Sequence, residues 1–173
     1  MEHILIVYYS RKGENYWGGK IRKLEKGNTE IVAEMIQKAV GGDLFEIDTV
    51  KPYSADYTTC TREAQQELRA NVRPELKEYL EDLEGYDTIF VGYPNWWGNM
   101  PMAMFTFLEH YDLTRKRIIP FCTNEGSGMG RSESDLRKIC TGAVVEQGLA
   151  IRGTEASQSE EEVSAWAKGF VHK

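Results

Sequence analysis

The chain has 173 residues, enough for one domain whose core needs no disulfide or metal to hold it, and little chain is left for a second. Apolar residues make up 41% and charged residues 28%, which excludes a disordered chain. The longest apolar runs, residues 4–9 and 118–122, fall far short of the roughly 20 residues that a membrane-crossing helix needs. The net charge of −6 argues against nonspecific nucleic-acid binding, which rests on Lys and Arg neutralising phosphates, and would favour a basic or cationic partner.

Met1, Glu2 and His3 lead straight into a strand-like run without the basic, apolar and small-residue pattern of a secretory leader, so a cytoplasmic protein is the expectation. Cys60, Cys122 and Cys140 are odd in number with no close pair. They suggest neither a disulfide framework nor a CxxC motif and read as buried or half-buried thiols.

Residues 4–9, Ile-Leu-Ile-Val-Tyr-Tyr, are continuously apolar, β-branched and aromatic, as in a strand buried on both faces. After the loop that begins Ser10-Arg11-Lys12-Gly13, the residues Ile31, Val32, Met35, Ile36, Ala39 and Val40 recur at helical spacing until Gly41-Gly42. Residues 44–47 predict a short second strand, and residues 51–61 a Tyr-rich polar connection. Pro74 stands where a helix takes its first residue, with Leu76, Tyr79, Leu80 and Leu83 on one stripe and Gly85 as the stop.

Residues 88–93 form the next buried strand and lead directly into Pro94-Asn95-Trp96-Trp97-Gly98. A helix over 101–111, a strand over 117–122 and a Gly-rich loop over 123–130 follow. The chain closes with a helix from about Ser132, a last strand at 149–152 and a helix over 159–170 introduced by Ser159 and three glutamates. Five strands alternating with helices predict an α/β fold: one doubly wound, open, parallel five-stranded sheet in three α/β/α layers, with all 173 residues in a single domain.

In such sheets ligands bind outside the carboxyl ends of the strands, where three unusual loops converge. Ser10 with Asn28 and Thr29 places hydroxyl and amide groups at a helix N-terminus, which suits an anion such as phosphate, although the same residues cap helices that bind nothing. Two adjacent tryptophans after a strand cannot both enter the core, so at least one is partly exposed; such a face stacks on planar ligands or partners. The glycines of 123–130 follow a late strand, which makes them a backbone wrap or a flexible turn more readily than a dinucleotide fingerprint.

Taken together these residues resemble the flavodoxin-like family, and within it the short flavodoxin-like proteins whose first loop reads Ser-Arg-Thr-Gly-Asn-Thr. The resemblance rests on Ser10-Arg11 and Gly27-Asn28-Thr29, on Tyr53 and Tyr57, on Arg73-Pro74-Glu75-Leu76, on Tyr93-Pro94-Asn95-Trp96-Trp97-Gly98, and on Thr123-Asn124-Glu125-Gly126-Ser127-Gly128. It covers nearly the whole chain.

The resemblance implies one non-covalent FMN as cofactor. Ser10, Arg11, Gly27, Asn28 and Thr29 would lie at its phosphate. Pro94, Asn95, Trp96, Trp97 and Gly98 would pack on the ring, while Thr123, Asn124, Gly126, Ser127 and Gly128 would contact the other ring edge and the ribityl chain. A backbone group near Gly98, free to rotate, would reach the flavin N5. The chain departs from the family by inserting residues 12–26 into the phosphate loop. Either the insert bulges out and leaves Ser10 beside Asn28 and Thr29, which is the expectation, or it remodels the site and covers the cofactor. Lys12, Lys20, Arg22 and Lys23 within it read as a solvated basic loop.

The implied function is electron transfer through the flavin, to a redox partner protein or a small quinone-like substrate. The alternative is an NAD(P)H-dependent quinone or flavin reductase on the same fold, and after that a flavin-free interaction module. A phosphate-accepting receiver domain would need acidic residues after the first strand, where Tyr8-Tyr9-Ser10 stands. A Cys-based phosphatase would need an arginine six residues after its cysteine, where Gln66, Gly128 and Glu146 stand. His3, His110 and His172 lack ligand spacing, so no metal site is expected. No residue in the sequence names a catalytic acid, base or nucleophile, or sets the oligomeric state.

Overall fold

The computed structural model describes residues 2–171; Met1 and His172, named above, lie outside that range. Its central sheet is built on β1 (Ile4–Tyr8), β4 (Asp43–Glu46), β5 (Thr88–Pro94) and β6 (Arg117–Asn124). These run in the order β4-β1-β5-β6, all parallel. The fifth position is shared by two short strands, β7 (Val144–Val145) and β8 (Leu149–Arg152), each parallel to a different half of β6. The sheet thus has the expected five positions, with the last one broken.

The break has a local cause. Ile118 accepts a hydrogen bond from Glu146 N (2.8 Å), so β6 turns the backbone of Ile118, and of Pro120 two residues on, toward this neighbour. Pro120 has no N–H to offer there. Gly148 crosses the gap: a Cβ on it would lie 2.8 Å from the Pro120 carbonyl.

Alternate residues of the strands feed two cores, as the pleat dictates. Ile4, Ile6, Tyr8, Phe90, Ile119 and Phe121 pack on Val32, Ala33 and Ile36 of α1 (Asn28–Val40) and on Val163 and Ala167 of α5 (Glu160–Lys168). On the other face Leu5, Val7, Ile89, Val91, Tyr93 and Cys122 meet α3 (Met102–Glu109) and Leu136 of α4 (Ser132–Ile139). All three cysteines are buried thiols.

The helix expected after Pro74 does not form. Residues 71–87 are irregular, apart from a bridge that pairs Leu76 with Thr49. Val50 N donates to Glu75 O (2.9 Å) and Lys77 N to Asp48 O (3.0 Å), so the backbone is bonded to a neighbouring segment instead of to itself. Leu76 and Leu83 are buried all the same.

The helix lies earlier, as α2 (Tyr57–Ala70), partly inside the stretch expected to be a connection. Asp56 caps it by accepting from Thr59 N (2.9 Å), and Asn71 in the left-handed conformation ends it. Residues 12–26 fold into a separate antiparallel hairpin, β2 (Gly13–Trp17) and β3 (Lys20–Leu24), turned by Gly18 and Gly19 with φ of 62° and 89°. Lys12, Lys20, Arg22 and Lys23 are exposed on it, with Arg22 4.4 Å over the Trp17 ring.

Candidate functional site

The three loops predicted to converge all leave the carboxyl ends of adjacent parallel strands β1, β5 and β6, beside the point where the chain reverses its direction of winding. The first is held together across its insertion. Ser10 Oγ accepts from Glu30 N (3.0 Å), capping α1 from twenty residues away, and Gly27 is buried beneath. A Cβ on Gly27 would strike Ser10 Oγ and lie 2.7 Å from Arg11 O, so only glycine lets the two halves of the loop meet. Ser10 therefore stays beside Asn28 and Thr29 as expected, but the insert does not bulge clear of the site: its Asn15 and Tyr16 line the adjoining cavities.

Around this point Asn28 and Thr29 offer N–H groups that have no protein acceptor among the described residues, at the positive end of the α1 dipole. The Thr29 hydroxyl is spent elsewhere: it shares a buried hydrogen bond of 2.8 Å with Thr123 Oγ1, tying α1 to β6. Arg11 is also committed, donating to the carbonyls of Glu14 (2.8 Å), Ser54 (3.0 Å) and Ala55 (3.2 Å).

The second loop is a tight turn. Trp96 and Asn99 exchange both backbone hydrogen bonds (2.8 and 3.2 Å), with Trp97 and Gly98 between them at φ of 58° and 79°, the signature of a type I′ turn. A left-handed tryptophan is a strained residue, and here the strain presents its ring: Trp97 is 49% exposed while its Nε1 donates to Thr61 O (2.8 Å). Trp96 turns inward, edge-to-face with Tyr9 and with Tyr53 at 5.2 Å each. Burial pushes the Tyr9 and Tyr53 hydroxyls well above the usual phenol range, so both remain neutral.

Asn95 joins the second loop to the third. Its Oδ1 accepts from Gly98 N (2.9 Å), its Nδ2 donates to Gly128 O (2.8 Å), and its own N–H reaches Thr123 O (2.8 Å). The Gly98 carbonyl accepts from Arg131 N (2.9 Å). Both backbone groups of Gly98 thus have protein partners, whereas the Trp97 carbonyl, on the peptide that joins the two residues, has none among the described residues. In the third loop Asn124 Oδ1 accepts from Gly126 N (2.7 Å), Gly126 and Gly128 take φ of 121° and 65°, and Ser127 is exposed.

Two cavities meet here. A polar one of about 240 Å³ is lined by Asn28, Pro94, Thr123, Asn124, Glu125 and Ser127. An apolar one of about 300 Å³ is lined by Cys60, Thr61, Ala64, Trp97 and Arg11. Asn15, Tyr57, Asn95 and Trp96 line both.

Sequence reasoning missed Asn15 and Tyr16 of the hairpin, the α2 residues and Glu125 as part of the walls. Glu125 is notable: one carboxylate oxygen accepts from Gly18 N (3.3 Å), the other is buried with no partner among the described residues, and burial raises its pKa.

Comparison with known proteins agrees with this geometry. The sequence model of the flavodoxin family matches residues 24–170. Flavodoxin 1 of Salmonella typhimurium (strain LT2) is 27% identical over 120 residues, 67% of this chain and 51% of that protein, so the chain spans about half the length of this curated relative. A crystal structure from Bacteroides eggerthii DSM 20697, provisionally assigned as a flavoprotein, is 29% identical with a TM-score of 0.78 over the whole of both chains. A flavoprotein in complex with FMN from Lactobacillus acidophilus NCFM shares the fold at 24% identity and a TM-score of 0.66, with 95% of this chain and 99% of that one covered. With its strand order, its three loops and a family match over most of its length, the chain belongs to the flavodoxin family.

Proposed function

We propose that the chain holds one FMN without a covalent bond and passes electrons through it. The observation that carries this reading is a pair of adjoining cavities: a polar one that reaches the α1 N-terminus at Asn28, and an apolar one that shares Asn15, Tyr57, Asn95 and Trp96 with it. That shape suits a ligand with an anionic end, a hydroxylated chain and a flat apolar head.

The residues fit FMN in three respects. The Gly27 cradle leaves the Asn28 and Thr29 N–H groups free for a phosphate. Asn124, Glu125 and Ser127 line the polar cavity with groups suited to a hydroxylated chain. Trp96 and Trp97 present aromatic surface where a ring would lie. Ser10, Gly27, Asn28 and the Thr29 N–H would hold the phosphate. Asn124, Gly126, Ser127 and Gly128 would follow the ribityl chain, and Pro94, Asn95, Trp96, Trp97 and Gly98 would support the ring.

When bound, FMN supplies one- and two-electron redox chemistry. The protein's part is placement. Asn95 locks two loops in one arrangement, the Tyr9–Tyr53–Trp96 cluster keeps water from the inner side, and the strained turn leaves Trp97 facing solvent where a partner approaches. A low-polarity wall disfavours added negative charge and so works against reduction.

The electron source is a redox partner protein in this reading. The apolar cavity favours a second one, in which the protein acts as a reductase that accepts a nicotinamide or passes electrons to a small quinone-like substrate. Anaerobic stopped-flow mixing of the FMN-loaded protein with NADH or NADPH separates them: slow bleaching of the flavin band supports the carrier, and bleaching within the turnover range of an enzyme overturns it.

A further inference from the structure

The hairpin between Arg11 and Gly27 has a place in this site. It forms a sheet of its own, with no strand pairing to the central one among the described residues, and an isolated two-stranded hairpin is marginal in water. Its order therefore comes from what it touches. At its base Arg11 donates to Glu14 O, Ser54 O and Ala55 O, and Asn15 Nδ2 donates back to Arg11 O (2.8 Å). Midway, Glu14 Oε1 accepts from Tyr57 N (2.8 Å), and the Tyr16 ring stacks on Tyr57 at 6.4 Å and 29°.

At the tip the hold is slighter: Gly18 N donates to Glu125 Oε2 at 3.3 Å, a long hydrogen bond. The hairpin thus runs from the start of α2 across to the loop after β6, and Asn15 and Tyr16 become walls of the polar cavity below. Glu125 closes this span. Its free Oε1 points into the same corner as the Asn28 amide, since a Cβ built on Gly153 would lie 2.6 Å from Oε1 and would also strike Asn28 Nδ2.

We propose that the β2–β3 hairpin is a strap of the cofactor site: it crosses the polar cavity, lines it with Asn15 and Tyr16, and is latched by Glu125, which accepts the Gly18 N–H and lines the same cavity. The inference rests on the reading that FMN is the ligand. A ligand in the polar cavity meets both Asn15 and Tyr16 of the strap and the Glu125 side chain that receives the hairpin tip. Cofactor and strap therefore order one another. The ribityl chain cannot leave until the tip lifts, whereas the Trp97 side of the site stays open.

The fold permits a direct test, because the two ends of the hairpin meet: a Cβ on Gly27 would lie 2.7 Å from Arg11 O. Residues 12–26 can therefore be excised, with a single threonine joining Arg11 to Gly27, without drawing Ser10 away from α1. FMN release is followed by the rise of free-flavin fluorescence after dilution, for the wild type, the excised chain, Glu125→Ala and Tyr16→Ala. Hydrogen exchange of the β2–β3 amides is followed with and without FMN.

The expected results are that each variant still binds FMN, that Glu125→Ala and the excised chain release it about tenfold faster or more, and that FMN slows exchange in the wild-type hairpin. Unchanged release in Glu125→Ala together with unchanged exchange overturns the strap while leaving the FMN reading intact. If the excised chain does not fold, the two point variants decide alone. A wild-type protein that takes up no FMN overturns both.

Discussion

Asn95 is the sharpest place to perturb the site, because one small amide holds two loops. Asn95→Ala removes the acceptor for Gly98 N and the donor to Gly128 O, both partly buried, while the Asn95 backbone bond to Thr123 O and the Arg131 bond to Gly98 O persist. Each lost bond is worth roughly 0.5–1.5 kcal/mol, so the pair amounts to about 1–3 kcal/mol of loop order.

Neither bond touches the two cores, and the deficit is met when a ligand has to reorder the loops. At about 1.4 kcal/mol per tenfold, the FMN dissociation constant should rise between about fivefold and about 150-fold. The Tm should fall by less than the roughly 2–4 °C that 1 kcal/mol of global stability represents in a chain of this size. Asn95→Asp keeps the acceptor and loses the donor, and should lie between. Fluorescence titration with FMN and calorimetry on the same samples give both numbers. Wild-type affinity in Asn95→Ala, or a Tm collapse with affinity preserved, would show that Asn95 does not order these loops for the ligand.

Three further outcomes follow from single groups. Gly27→Ala drives a Cβ onto Ser10 Oγ and against Arg11 O, so FMN affinity should drop by about tenfold or more while riboflavin, lacking the phosphate, loses far less; equal losses would contradict the phosphate assignment. Gly98→Ala meets no atom within 4 Å but must hold φ near 79°, which costs about 1–2 kcal/mol and should show as a lowered Tm, whereas Gly85→Ala, also in open space but without positive φ, should stay within about 0.5 kcal/mol of wild type.

The third outcome concerns pH. Burial pushes the Cys140 thiol up to about 12, and the bond from Tyr86 to Asp43, foremost, raises that phenol to about 12. Both groups bind their protons more tightly folded than unfolded. Their stabilising effect is complete below the ordinary thiol and phenol pKa values and is lost as pH climbs toward 12. Melting temperature should therefore decline above about pH 9, and a thiol reagent at pH 8 should find neither Cys122 nor Cys140 until the chain is unfolded.

The parallel strands were legible because a strand buried on both faces is a continuous apolar run, and residues 4–9, 88–93 and 117–122 are such runs. The stripe after Pro74 misled because Leu76 and Leu83 are buried for a different reason: bonds to residues 48–50 draw an irregular segment over the core. Helix α2 was hidden because only Cys60 and Ala64 of its residues are buried, two small side chains at i and i+4 amid polar neighbours.

The three loops announced themselves through residues that ordinary turns do not need, above all Trp96-Trp97-Gly98. Two features of the site were out of reach. Arg11 and the Thr29 hydroxyl look like ligand groups in sequence, yet partners 43 and 94 residues away use them within the protein. The hairpin did carry a signal, Gly18-Gly19 between strand-like pentads, but what it covers depends on Tyr57 and Glu125, which no local pattern connects to it.

Whether the chain holds a flavin is decided by passing the purified protein, mixed with excess FMN, through gel filtration and recording the absorbance of the protein peak. Flavin bands should co-elute with the protein at one FMN per chain, and Gly27→Ala should retain less flavin at the same concentration. A protein peak free of flavin at saturating FMN would contradict the FMN reading.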